Sequence, residues 1–110
     1  MPDPYTEAQR VNGKHHGFYK QFASASVIQI RKSMRSLEDL ITLHKDKIAH
    51  PEKYIPDFDT LDERRQRALV QSLWPQEIAG FQEQVTILHG ILTDRQTNAE
   101  AQQTERPQEE

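Results

Sequence analysis

The sequence predicts an all-α protein: an antiparallel helical hairpin with a short capping helix and disordered termini. Three observations predict it. Two runs of apolar residues recur at alternating spacings of three and four, a proline-rich connection separates them, and both ends of the chain are polar and poor in branched apolar residues. At 110 residues, with 35% hydrophobic and 28% charged residues, the chain has room for one small domain whose core comes from a few apolar stripes.

Residues 1–23 read as a flexible arm, basic and aromatic. Pro2, Pro4, Gly13 and Gly17 sit among polar groups, and Tyr5, Phe18, Tyr19 and Phe22 are its large apolar side chains. The i, i+4 spacing of Phe18 and Phe22 allows helix to begin just after Gly17. Residues 24–93 read as the hairpin domain. Its first seam is Val27, Ile30, Met34, Leu37, Ile41, His44 and Ile48, with Leu40 and Leu43 widening the stripe. No glycine or proline interrupts it until His50-Pro51, where the residue before proline is pushed out of helical geometry. A helix over 26–49 spans about 36 Å.

The connection from Pro51 to Thr60 interleaves Tyr54, Ile55 and Phe58 with Pro51, Pro56, Asp57 and Asp59, so it should pack on the helices. Thr60-Leu61-Asp62-Glu63 matches a capping box, which predicts a capping helix from Leu61 that packs through Leu69, Val70 and Leu73. Pro75 lacks a backbone N–H and clashes with the preceding turn, so a kink or restart is expected at Trp74. The second seam follows as Trp74, Ile78, Phe81, Val85, Leu88 and Leu92, with Ile87 and Ile91 beside it. Folding the seams together sets Ile41 near Phe81 and Ile30 near Leu92. The interface residues expected are Ile30, Met34, Leu37, Ile41, His44, Trp74, Phe81, Val85 and Leu88. Residues 94–110 turn to Asn, Gln, Thr, Glu and Ala without a stripe and read as a disordered acidic tail.

Several chemistries are absent from the residues. With no cysteine there is no disulfide, thiolate zinc site or cysteine nucleophile, and the five histidines lack metal-ligand spacing, so no metal and no cofactor is expected. His44 on an apolar seam reads as a satisfied side chain that fixes register. Asp57, Asp59, Asp62 and Glu63 are accounted for by capping and the helix dipole. No run approaches the ~20 apolar residues of a membrane span, and the N-terminus lacks the apolar stretch of a signal peptide. The chain therefore reads as cytoplasmic, or exported without a signal peptide.

The net charge of −3 conceals a basic stretch: Arg10, Lys14, Lys20, Arg31, Lys32 and Arg35 lie in a segment with no acid. Arg31, Lys32 and Arg35 share one side of the first long helix and are the candidate anion contacts. His15 and His16, beside Lys14 and Lys20, form the alternative catalytic reading, in which a small effector would act on nucleic acid by general acid–base chemistry.

The residues His44, Lys47-Ile48, Pro51, Tyr54, Pro56, Leu61, Leu69, Trp74, Glu77-Ile78 and Gly90-Ile91-Leu92 resemble a helical segment near the C-termini of bacterial polymorphic toxins of the RHS type. The resemblance covers residues 44–92 and implies a role as effector, accessory or immunity protein. Together these readings favour a non-enzymatic helical, coiled-coil-like module that binds another protein or a second copy of itself. A toxin acting on nucleic acid, or a nucleic-acid-binding accessory protein, is the alternative.

Overall fold

The computed structural model describes residues 3–105, and for residues 100–105 the backbone alone. The described residues are all-α, with no strand among them. In order they form α1 (Pro4–Gln9), α2 (His16–Ala23), α3 (Val27–Ala49), α4 (Pro51–Tyr54), a 3-10 turn (Phe58–Thr60), α5 (Glu63–Arg67), a π turn (Ala68–Leu73) and α6 (Trp74–Glu105). They divide into two compact units, Met1–Lys32 with Thr86–Glu110, and Ser33–Val85.

In the first unit, the segment read as a flexible arm carries α1 and α2. The reason is local. The Asp3 side chain accepts from the Thr6 backbone N–H at 2.7 Å, and Pro4 supplies a pre-set first helical residue. That N–H holds the Asp3 carboxyl below its ordinary value. Between the helices, Gly13 lies so close to the chain that a Cβ there would fall 1.8 Å from the Glu7 carbonyl oxygen. His15 then takes a left-handed conformation (φ 67°) ahead of α2. Phe18 and Phe22 meet one turn apart, with ring centroids at 4.9 Å.

The core of this unit is Ala8, Ile30, Ile87, Leu88 and Ile91. α1 is seated by Tyr5, whose ring lies over Gly90. A Cβ on Gly90 would sit 2.4 Å from the ring's Cγ. The Tyr5 hydroxyl donates to the Asp94 carboxylate, and the ring meets Tyr19 edge-on at 6.1 Å. α2 is tied down by Arg95, whose guanidinium donates to the Ala23 carbonyl at 2.8 Å. The start of α3 is fixed by a reciprocal cap. Ser26 Oγ accepts from the Gln29 backbone N–H at 3.1 Å, while Gln29 Oε1 accepts from the Ser26 N–H at 3.2 Å.

The second unit is built on Leu37, His44, Phe58, Trp74 and Ile78, all buried. α3 ends at Ala49, and His50 takes φ −138°, ψ 66°, outside the helical region as expected before Pro51. Leu40 and Leu43, expected to widen the seam, lie at its margin, 37% and 38% exposed. Burial follows Leu37 and His44, and Leu40 and Leu43 lie beside that stripe.

The capping box expected at Thr60 does not form. Burial of Phe58 draws Phe58–Thr60 into a 3-10 turn, where the Thr60 hydroxyl donates to the Asp57 carbonyl at 2.7 Å. Asp62 takes over as the cap, accepting from the Arg64 N–H at 3.0 Å, and α5 begins at Glu63. Gln66 secures the junction by donating to the Leu61 carbonyl at 2.9 Å.

α6 starts at Trp74 with Pro75 as its second residue, directly after the π turn. The six residues ahead of α6 widen into the π turn, with the Trp74 N–H bonding five residues back to Leu69. A regular α turn would drive the Pro75 ring into the carbonyl of Gln71, and widening the turn relieves that clash. Of the segment read as a disordered tail, residues 94–105 carry helical backbone in α6, and residues 106–110 lie outside the described residues, as do residues 1–2 of the arm.

Candidate interaction surfaces

In the Ser33–Val85 unit, His44 is the centre of a satisfied polar contact. It is 6% exposed, and its Nδ1 lies 2.8 Å from the Leu40 carbonyl while its Nε2 lies 3.3 Å from Glu77 Oε1. The ring packs edge-on against Phe81 at 5.2 Å, and one turn further along α3 the Lys47 ammonium lies 5.9 Å from the centre of the buried Trp74 ring. Both ring nitrogens face acceptors, so a singly protonated imidazole donates to one of them and a doubly protonated ring donates to both. Among the described residues no buried side-chain polar atom is left without a hydrogen bond.

Next to it, Asp46 gathers α4 onto α3 by accepting from the Tyr54 hydroxyl and, at 3.0 Å, from Lys53 Nζ. The Tyr54 hydrogen bond first, and the Lys53 ammonium second, hold the Asp46 carboxyl below its ordinary value. The same carboxylate raises Lys53 and Tyr54.

Of the interface residues expected from the sequence, Ile30, Leu37, His44, Trp74 and Leu88 are buried, and Met34, Ile41, Phe81 and Val85 are half-buried. Outside this stripe the unit leaves three large aliphatics exposed: Leu40, Leu43 and, at 47%, Leu73. Leu73 closes the π turn, and Leu40 and Leu43 are one turn apart on α3. The seam pattern alone did not show which aliphatics remain outside.

In the other unit, His16 is pinned, with Nδ1 lying 2.8 Å from the Ala8 carbonyl and its ring stacked near Tyr19. His15 carries the left-handed turn before α2. A polar cleft of about 220 Å³ opens beside Tyr5, Tyr19, Asp94, Arg95 and Asn98. Burial first, and the Asp94 carboxylate second, push the Tyr5 hydroxyl well above its ordinary value. The candidate anion contacts Arg31, Lys32 and Arg35 are exposed on α3, as are Arg64, Arg65 and Arg67 on α5.

Among the described residues, no cluster of three or more His, Asp or Glu side chains is arranged to hold a metal ion. No helix there is long and apolar enough to cross a membrane. No protein family, curated protein or solved structure matches the chain.

Proposed function

We propose that this chain is a non-enzymatic helical interaction module that docks a second copy of itself, or another protein, through its exposed aliphatics Leu40, Leu43 and Leu73. The observation that carries the reading is the exposure of these three large aliphatics in a unit whose core residues Leu37, Phe58, Trp74 and Ile78 are buried. Large exposed aliphatics grouped within one small unit are a common mark of association surfaces.

In this reading α3 and α6 are the arms of an antiparallel hairpin. The contacts of His44 with Phe81 and of Lys47 with Trp74 support that arrangement, because the partner residue number falls as the α3 number rises. The resemblance of residues 44–92 to RHS-type toxin segments supports placing the module in a bacterial toxin, immunity or secretion system.

The test is light scattering after size exclusion on the intact chain and on the Leu40→Asp/Leu43→Asp variant. Association that the variant abolishes, with helicity retained, is the expected result. A chain that stays monomeric at every concentration, and forms no complex sensitive to this variant, overturns the reading.

The second reading, an effector acting on nucleic acid through His15 and His16, draws on the fixed position of His16 against Ala8. Replacing both histidines with alanine would then abolish cleavage of nucleic acid without changing helicity. Nucleic acid left uncut by the intact chain removes this alternative.

A further inference from the structure

The Met1–Lys32 with Thr86–Glu110 unit carries its own exposed aliphatics, and they lie in distinctive company. Val11 is 78% exposed, Ile28 72% and Val27 41%. All three fall in the stretch from Arg10 to Lys32, which contains five Lys and Arg residues and no Asp or Glu. On α3 the association is direct. Ile28 lies three and four residues before Arg31 and Lys32, and Val27 lies four before Arg31, so the apolar and cationic side chains share one helical face. Lys20 on α2 is exposed as well.

The combination of exposed aliphatics, cations and no acid selects a partner by chemistry. A phosphate ladder such as duplex nucleic acid would use the cations and leave Val11 and Ile28 without apolar contact. An anionic phospholipid surface uses both. The aliphatic tips enter the boundary between headgroups and acyl chains, while the Arg and Lys stems lie along it with their charges at the phosphates. The segment itself contains no aspartate or glutamate to be repelled there; Arg10 pairs with Glu7 at 3.7 Å, so the headgroup contacts rest on Lys20, Arg31 and Lys32. Three aliphatics are too few to hold a neutral membrane, so the charge of the lipid is required as a second attraction.

We infer that the segment from Arg10 to Lys32 binds peripherally to an anionic phospholipid surface. This does not depend on the exposed aliphatics of the other unit, and it involves no membrane span.

The test is co-sedimentation of the intact chain with vesicles of phosphatidylcholine alone and of phosphatidylcholine mixed with phosphatidylserine, with a duplex DNA probe in parallel. The variants are Ile28→Ser and Arg31→Gln with Lys32→Gln, all at exposed positions, with helicity checked by circular dichroism. Binding is expected only to the vesicles containing phosphatidylserine, and it should fall with added salt. Ile28→Ser should weaken it about tenfold through lost apolar contact. The double charge variant should weaken it by about tenfold or more. No binding to the anionic vesicles overturns the proposal, as does a failure of either variant to weaken binding. Binding to the DNA probe in place of the vesicles overturns it in favour of a nucleic-acid contact.

Discussion

Replacing Gly90 with alanine tests the seating of α1 on α6. In a helix interior the substitution is ordinarily favourable by about 0.5–1 kcal/mol, because glycine loses more backbone freedom on folding. At Gly90 the added Cβ would lie 2.4, 2.6 and 2.7 Å from three atoms of the Tyr5 ring, where carbon atoms in contact normally stand about 3.5–4.0 Å apart. The ring must retreat by about an ångström. It is held by Tyr19 at its edge and by Asp94 at its hydroxyl, so it cannot do so freely. Forced overpacking of this kind costs about 1–3 kcal/mol, which leaves a net loss of about 1 kcal/mol. Gly80, on the same helix, has nothing within 4 Å of its would-be Cβ, so Gly80→Ala should gain about 0.5–1 kcal/mol. Urea denaturation followed by circular dichroism reads both. In a Tyr5→Ala background, Gly90→Ala should turn stabilising. If Gly90→Ala stabilises the wild-type chain as much as Gly80→Ala does, the Tyr5 ring does not lie over Gly90 and the account of α1 fails.

Four further outcomes are expected. Ser26→Ala removes half of the reciprocal cap on α3 and should lower stability by about 1 kcal/mol, seen as a lower denaturation midpoint. Trp74→Ala empties a buried aromatic position and should cost about 3–5 kcal/mol in the same assay. Tyr5 is raised in the folded state, so its contribution is complete below the ordinary tyrosine value of 10.0 and is lost as pH climbs towards the folded value. Tyr5→Phe should therefore flatten the alkaline fall in stability, and an unchanged alkaline limb would contradict the burial assigned to this hydroxyl. Asp46 is lowered, so its contribution is present above 3.8 and is lost as pH drops through the folded value. Asp46→Asn should accordingly reduce the acid sensitivity of midpoints measured across that range.

The long helices were legible because their signals are periodic or categorical. The spacing from Ile30 to Ile48 marks α3, and Pro51 marks its end, since helical geometry is disfavoured for the residue before a proline; Trp74, before Pro75, keeps helical angles (φ −64°, ψ −41°) where the π turn makes room for the ring. Local caps were partly readable and partly misread. Ser26-Val27-Ile28-Gln29 and Asp3-Pro4 are both helix-start signatures, yet the prolines of the arm were read as flexibility when Pro4 in fact opens α1. Thr60 was assigned a cap that Asp62 holds, because burial of Phe58 decides how the preceding turn closes, and burial is a tertiary property.

The surfaces were less legible still. An apolar stripe states which residues are greasy, and the angular limit of the packed region states which are covered. Leu40 and Leu43 fall at that limit. The seating of Tyr5 on Gly90 joins positions far apart in the chain, and no local pattern links them. His16 illustrates the same limit, since its anchor is a backbone carbonyl, which every residue carries.

The π turn ahead of Trp74 makes this stretch sensitive in phase and insensitive in length. Each residue of an α-helix advances the side-chain direction by about 100°. The widened turn inserts extra backbone without that advance being matched by a regular hydrogen-bond step, so it sets the angle at which Arg64, Arg65 and Arg67 point relative to the side chains of α6. Deleting one residue between Ala68 and Leu73 would swing the α5 arginines about the helix axis while moving α5 only about 1.5 Å along it. Residue number in this one turn therefore acts as an aiming device, through which α5 can be redirected without a new loop.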